Sequence, residues 1–345
     1  MTSHNRQWLL RSRPKGLLQM NNLELVNGNH DVRPLKSGEI RIRNLLFQCA
    51  PTMRNWMSEP SNSLYRTIDL GTPVQALAAC RVVESRNSRY PVGSRIIISS
   101  CWSEYDIIDV SELSPKFIPE GISAIESVGK LGINSLTAYF GITRIGQPRP
   151  GETLVVSGAA GSTGSVAAQI GRLKGCRVIG IAGGKNKCDW LMNECGLDGA
   201  IDYHTEDVNS ALKDHCPNGI DIFYDNVGGQ ILQAAVDNMA KFGRIILCGQ
   251  IAAYNQDGPA PAFSNMMRLI YGSIHMQGFL YSDYLDDIPK ALNDLTSWMQ
   301  SGDIITRLDV RSGFENLPSI FNALFDGSNQ GSLLAVIDDD AHALA

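Results

Sequence analysis

Between Thr153 and Gly184 the spacing of apolar positions changes twice, and each change predicts an element. Leu154, Val155 and Val156 form the short continuous apolar run of a strand buried on both faces. From Ser157 to Ser165 that run gives way to a turn carrying Gly158, Gly161 and Gly164. Val166, Ile170 and Leu173 then recur at helical spacing and share one face. Gly175 is placed to stop that helix, and the run RVIGIA supplies a second strand.

The alternation continues downstream. AIDYHT predicts a third strand, VNSALKDHC a helix, and GIDIFYDNVGG a fourth strand that ends in a glycine-rich loop. ILQAAVDNMAKFG reads as an amphipathic helix ended by Gly243, RIILCGQIAAYN as a fifth strand with its loop, and SIHMQGFLYSDY as a sixth. LDDIPKALNDLTSWMQSG predicts a helix interrupted early by Pro289. Strands alternating with helices give an α/β fold with a doubly wound parallel sheet, whose ligands bind beyond the carboxyl ends of the strands. Asn226, Gly249, Tyr254 and Phe279 stand in the loops where such a ligand is expected.

The flanks differ in texture. From Trp8 to about Ile125, short runs such as LELVN, EIRIRNLLFQ, ACRVVES, SRIIISSCW and YDIIDV are separated by Gly, Pro, Asn and Ser, the pattern of a β-rich domain without internal repeats. SLTAYFGITRIG is helical and leads through a proline–glycine turn into the strand at Leu154. After Gly302 the chain closes on LLAVI, a run of the β-rich kind. A chain that leaves a domain and later returns to it is expected to form two lobes, with a cleft that favours a ligand.

The glycine turn has the chemistry of a phosphate site. Without side chains, a pyrophosphate can approach the backbone, and the N–H groups that open the helix point at its oxygens. The spacing is G-x-x-G-x-x-G, so the motif alone also suits a helix packed closely on a strand with no ligand. At the end of the second strand, where an NAD site places Asp or Glu for the ribose 2′-hydroxyl, the residues are Ala182, Gly183, Gly184, Lys185, Asn186 and Lys187. Two ammonium groups and no carboxylate favour a 2′-phosphate. A charge-assisted hydrogen bond of about 1.5–3 kcal/mol corresponds to roughly 10–100-fold preference for NADP(H). Lysines that merely solvate a surface turn are the plainer alternative.

Composition narrows the class without changing it. The 345 residues suffice for one large or two ordinary domains, and 43% hydrophobic with 19% charged residues are ordinary globular values. A formal net charge of −5 makes no electrostatic case for nucleic acid or an anionic membrane as the main partner. The opening MTSHNRQWLLRSRPKG lacks the apolar core of a signal peptide, and no run approaches a membrane span, so a cytoplasmic protein is expected. The eight cysteines (Cys49, Cys80, Cys101, Cys176, Cys188, Cys195, Cys216 and Cys248) are scattered without a C-x-x-C pair, and the six histidines form no H-x-x-x-H pair. No metal site is expected.

Longer stretches carry a resemblance. AGSTGSVAAQIGRLKGCRVIGIAGG followed by Lys187 and Cys188, FYDNVGG, LCGQIAAYN, MQGFL and LFDGSNQG, with LTAYFG and CWSEY, resemble the zinc-independent medium-chain dehydrogenases/reductases. Within them the sequence is most similar to the prostaglandin reductase and NADPH-dependent alkenal/curcumin double-bond reductase branch. The resemblance implies a GroES-like catalytic domain over residues 1–129, a Rossmann NADP-binding domain over 130–305, and a return to the first domain over 306–345. It also implies reduction of the C=C bond of an α,β-unsaturated aldehyde or ketone, and a homodimer. Carried over where the letters match, Gly161, Ser162, Thr163 and Gly164 hold the pyrophosphate, Gly183 and Lys187 the 2′-phosphate end, and Tyr203 the adenine ribose. Asn226, Cys248, Gly249, Gln250, Ile251, Tyr254, Phe279, Leu280 and Asn329 line the nicotinamide half, with Thr137 at its carboxamide.

Departures from the family pattern fall on the substrate side. Where relatives often carry Asp-Pro-Tyr-Met-Arg, this chain has Ala50, Pro51, Thr52, Met53 and Arg54, so the tyrosine that helps to hold a substrate carbonyl is Thr52. Ser332 follows Gly331 where lysine is common, and GTPVQALAAC lacks a glycine pair. Thr52, Met53 and Trp102 are candidates to line the substrate pocket, although Met and Trp are more often plain core. Without a metal-ligand motif, alcohol dehydrogenation would lack its usual Lewis acid, whereas enone reduction needs orientation of two partners and a hydroxyl donor. Tyr254 is the protein candidate for that donor; its alternative is a half-buried loop tyrosine bonded to backbone. A quinone reductase of the same fold, or an NADPH-binding sensor without turnover, are the other readings.

Overall fold

In the computed structural model, which describes residues 4–28, 33–59, 67–111, 115–255 and 264–345, six parallel strands form one sheet in the order Gly199–Asp202, Arg177–Ala182, Thr153–Ser157, Ile220–Asp225, Met239–Leu247, His275–Gly278. Numbered along the chain this is 3-2-1-4-5-6, the order of a doubly wound dinucleotide-binding sheet. The order reverses between the first and fourth strands, so the loops leaving Ser157 and Asp225 flank the crevice at the switch point. Leu154, Val155 and Val156 are completely buried, as the unbroken apolar run requires of a strand covered on both faces. The helix that follows, Ser162–Leu173, buries Val166, Ala167 and Ile170. It ends at Gly175 with φ +83°: Gly175 N–H donates to the Arg172 carbonyl and Cys176 N–H to that of Gly171, the paired bonds of a Schellman stop.

The sheet belongs to one of two compact units, Leu131–Arg307; the other combines Met1–Lys130 with Leu308–Ala345. In the second unit the strands Leu308–Ser312, Ser332–Val336, Glu39–Gln48, Gln75–Ser85, Arg95–Cys101 and Lys116–Phe117 pair in that order, and Tyr105–Asp109 adds to Glu39–Gln48. Ser332–Val336, buried at every position, runs antiparallel to Glu39–Gln48 with Ala335 opposite Phe47. The closing run therefore completes the β-rich sheet, and its core gathers Trp8, Phe47, Trp102, Leu333 and Ala335.

Three elements differ from the sequence expectation. The helix expected to reach Gly243 stops at Asn238, and the strand begins at Met239. The register jumps from Ile220↔Met239 to Ile222↔Arg244, and Phe242 takes φ +64°, so Ala240 to Gly243 form an irregular bulge in the strand. A Cβ at Gly243 would lie 2.4 Å from the Met239 methyl and 3.1 Å from the Ile220 carbonyl, so this glycine permits a close strand approach rather than ending a helix. Pro289 does not interrupt its helix but opens it, standing in the first turn of Ile288–Gln300 where its missing N–H costs nothing. The sixth strand is also shorter than expected: it covers His275–Gly278 and gives way at Tyr281 to a 3-10 turn.

Candidate functional site

The turn after the first parallel strand is held by its glycines. Gly158 has φ +58°, in the left-handed region, and its carbonyl accepts from Gly161 N–H. A Cβ at Gly164 would stand 2.2 Å from the Gly158 oxygen and 2.9 Å from the Ala159 Cα, so only glycine lets the helix start against this turn. Gly161 is the N-cap of Ser162–Leu173 and offers no side chain to the first-turn N–H groups. Ser162 and Thr163 open that turn, and the Ser162 hydroxyl accepts from the Asn134 amide at 2.7 Å. A twelve-residue helix thus presents its N-terminal backbone behind a turn bare of side chains. This donor arrangement fits the pyrophosphate of a dinucleotide.

A buried carboxylate ties the neighbouring loops to this turn. Asp225, fully buried at the end of the fourth strand, accepts from the Ser157 hydroxyl at 2.8 Å and from the N–H groups of Val227 and Gly228. Its backbone carbonyl accepts from Cys248 and Gly249 N–H. Burial pushes the Asp225 carboxyl above the usual carboxylate range, against the lowering by these donors. Asn226 donates its side-chain amide to the Ser157 carbonyl at 2.7 Å and its N–H to the Ser157 hydroxyl. The loops after the first, fourth and fifth strands are therefore one hydrogen-bonded assembly.

At the end of the second strand lies a separate cluster. Gly183 carries the ring of Tyr203 directly over it: a Cβ there would meet the Tyr203 hydroxyl at 2.7 Å and His204 Cε1 at 2.9 Å. Gly184, with φ +91°, caps the helix Lys185–Asn193, in whose first turn Lys187 is half-buried. Lys185, in contrast, is exposed and paired with Asp189 at 2.6 Å. No carboxylate stands on the second strand, as expected, but the neighbouring third strand supplies one. Asp202 pairs opposite Ala182 and accepts from Gly184 N–H at 2.8 Å and His204 N–H at 3.0 Å. The Gly184 bond holds its carboxyl below the usual range.

The residues expected at the nicotinamide end fall into two groups. Thr137 donates its hydroxyl to the Ile133 carbonyl one helical turn back, and its own carbonyl accepts from Tyr224. Tyr224 is completely buried near the Cys248 thiol, which burial pushes up to about 12. Phe279 and Tyr224 both close on Gly141, where a Cβ would stand 2.7 and 2.6 Å from their rings. Thr137, Cys248 and Phe279 are thus drawn together through Tyr224 and Gly141. Gly249, Gln250, Ile251 and Tyr254 form the other group: Ile251 N–H donates to the Asn226 carbonyl, and Gln250 N–H donates to the Tyr254 hydroxyl at 3.2 Å. Tyr254 is half-buried on a four-residue helix, in the backbone-bonded geometry of its plainer alternative. Leu280 is exposed, its N–H bonded to Asp283.

The candidates in the β-rich unit divide differently. Met53 and Trp102 are core residues, packed with Phe47, Ile320 and Phe321, the Trp102 ring edge-on to Phe321 at 6.0 Å. Both side chains are buried in that core among aliphatic and aromatic neighbours. Thr52 is exposed and precedes the short helix Met53–Trp56. Asn329 donates to the Gly331 carbonyl across its own turn at 3.3 Å, and Ser332 is buried as the first residue of the closing strand. Among the described residues, no group of three His, Cys, Asp or Glu side chains could hold a metal ion.

Sequence reasoning missed Asp225, Ser157, Tyr224, Asn134 and Asp202. The first two had a signal: a polar residue ending each apolar strand at the switch point, where its burial demands a partner. Asp202 had none, because its role depends on which strand lies beside the second.

Two family models match the chain, one described as the N-terminal domain of oxidoreductase over residues 6–115 and one as zinc-binding dehydrogenase over 162–297. The NADPH-dependent curcumin reductase of Escherichia coli (strain K12) is 36% identical over 342 residues, covering 97% of this chain and 98% of that protein. Prostaglandin reductase 1 of Bos taurus is 34% identical over 335 residues, covering 96% and 98%. Among solved structures, CurA from Vibrio vulnificus in complex with NADPH superposes with a TM-score of 0.91 at 34% identity, covering 97% of this chain and 99% of that one.

Proposed function

We propose that this chain, which belongs to the medium-chain dehydrogenases/reductases and to their prostaglandin reductase and alkenal/curcumin double-bond reductase branch, reduces the C=C bond of α,β-unsaturated aldehydes and ketones with NADPH. The observation that carries this reading is the glycine turn packed at an uncapped helix N-terminus, in a chain that aligns end to end with an NADPH-dependent curcumin reductase. Bound NADPH supplies the hydride that the β-carbon accepts. The chain's own residues bind, orient and donate protons. The N–H groups of Ser162, Thr163 and Gly164 hold the pyrophosphate, and Lys187 holds the 2′-phosphate. Tyr203 covers the adenine ribose over Gly183. Asn226, fixed by Ser157, and the group of Thr137, Cys248 and Phe279 wall the nicotinamide half.

Tyr254 is the proposed donor to the substrate's carbonyl oxygen. Its oxygen accepts from Gln250 N–H, and its O–H is the group that would donate. Cys248 has a different part. A thiolate there would add to the electrophilic β-carbon, and burial beside Tyr224 keeps the thiol protonated. The reaction needs no metal on this reading, so dialysis against a chelator leaves the activity unchanged.

The chain works as a homodimer in the cytoplasm on this reading. Its eight cysteines are unpaired, as in a reducing compartment. His275–Gly278 ends the parallel sheet with no further strand among the described residues, beside a helix, Met267–Gly272, whose Ile270 and Tyr271 are 68% and 77% exposed. An apolar patch at a sheet edge suits a second copy; a monomeric mass by sedimentation would remove it. The activity is tested by NADPH oxidation across alkenals, aryl enones, cyclic enones and quinones. Enones should turn over fastest. Faster quinone turnover would make the chain a quinone reductase, and tight NADPH binding with no turnover would make it a sensor.

A further inference from the structure

Asp202 lies where two kinds of dinucleotide differ. It ends the third strand opposite Ala182, and its Oδ1 accepts from the N–H of Gly184, which caps the helix bearing Lys187. A helix N-terminus beside the adenosine ribose would otherwise turn that N–H toward a phosphate. Here a carboxylate already occupies it, and only 14% of the Asp202 side chain is exposed. The charged groups around it come from two places. Lys185, Lys187 and Asp189 lie on the helix after Gly184, with Lys185 neutralised by Asp189. Glu206 accepts from Asp202 N–H at 2.7 Å on the same turn, and His204 Nδ1 lies 3.9 Å from Asp202 Oδ1. Close by are thus two carboxylates, Asp202 and Glu206, facing a turn whose half-buried lysine is Lys187.

We propose that Asp202 is a specificity-determining residue that opposes Lys187: its carboxylate repels a 2′-phosphate and accepts a ribose 2′-hydroxyl, so the chain binds NADH as well as NADPH. This rests on the dinucleotide reading of the site above. Two negative groups that share one site near a protein surface repel strongly enough to change an affinity several-fold. A 2′-hydroxyl gains an acceptor in Oδ2, since Oδ1 is held by Gly184 and His204 N–H. The lysine and the carboxylate therefore act on one ratio from opposite sides.

The test is a binding titration, by quenching of protein fluorescence, of NADPH and NADH with the unsubstituted chain and with Asp202→Asn. Asparagine keeps an oxygen for Gly184 N–H, so the turn is retained while the charge is lost. The ratio of the NADH to the NADPH dissociation constant should rise about tenfold. Asp202→Ala should move the same ratio in the same direction even where both affinities fall through loss of the turn. A ratio that stays within about twofold of the unsubstituted chain's, in both variants, overturns the proposal and leaves the reductase reading intact. Failure of the unsubstituted chain to bind either dinucleotide sinks that reading, and the proposal with it.

Discussion

The loops after the first and fifth parallel strands meet at the same crevice yet are built on opposite terms. The first is specified by backbone: Gly158 in a left-handed conformation, and Gly164 packed where a Cβ would stand 2.2 Å from a carbonyl oxygen. Its functional groups are N–H donors, and their positions follow once the turn and helix are packed. The fifth-strand loop is specified by borrowed contacts. Cys248 and Gly249 bond to the Asp225 carbonyl, Ile251 to that of Asn226, and Tyr254 is placed through Gln250 N–H. The lesson is a division of labour. On the proposed reading, a cofactor common to many enzymes is held by backbone fixed within its own turn, while the chemistry hangs on one side chain of a loop anchored to its neighbour.

That contrast can be broken at either loop. Gly164→Ala should have the largest effect, because the clash is with backbone and cannot be relieved by a rotamer change. The affinity for NADPH should fall about 100-fold by titration, and a variant that binds normally would show that the turn is not the phosphate site. Lys187→Ala comes next. The NADPH dissociation constant should rise about 10–100-fold while that of NADH changes little. Equal losses for both cofactors would assign the lysine a structural role. Tyr254→Phe should be the mildest: kcat on an enone falls about 3–10-fold, the worth of one hydrogen bond, with NADPH binding near normal. Unchanged turnover would take Tyr254 out of the chemistry, and lost NADPH binding would make it a prop of the Gly249 turn.

Legibility followed the range of the interactions. The glycine turn, the helix behind it and its stop at Gly175 were readable because each is set within a few residues by steric rules on φ and by apolar period. The helix expected to reach Gly243 failed for the opposite reason: Met239 to Gly243 look helical alone, but Ile220, which opens the adjacent strand, and Gly219 just before it draw them into a bulge. Met53 and Trp102 illustrate the same limit on the substrate side. Their letters suit either a pocket or a core, and only the surrounding Phe47, Ile320 and Phe321 decide for the core.

By itself the sequence determined the alternation of strands and helices, the bare turn at Gly158 to Gly164, the lysines after Gly184 and the return of the closing strand, since periodicity, glycine sterics and fixed charge are local properties. Tertiary structure alone decided that Asp202 reaches Gly184 and that Asp225 joins three loops. Those contacts depend on which strands become neighbours. Strand adjacency is chosen by the burial of whole faces, not by any short run of residues.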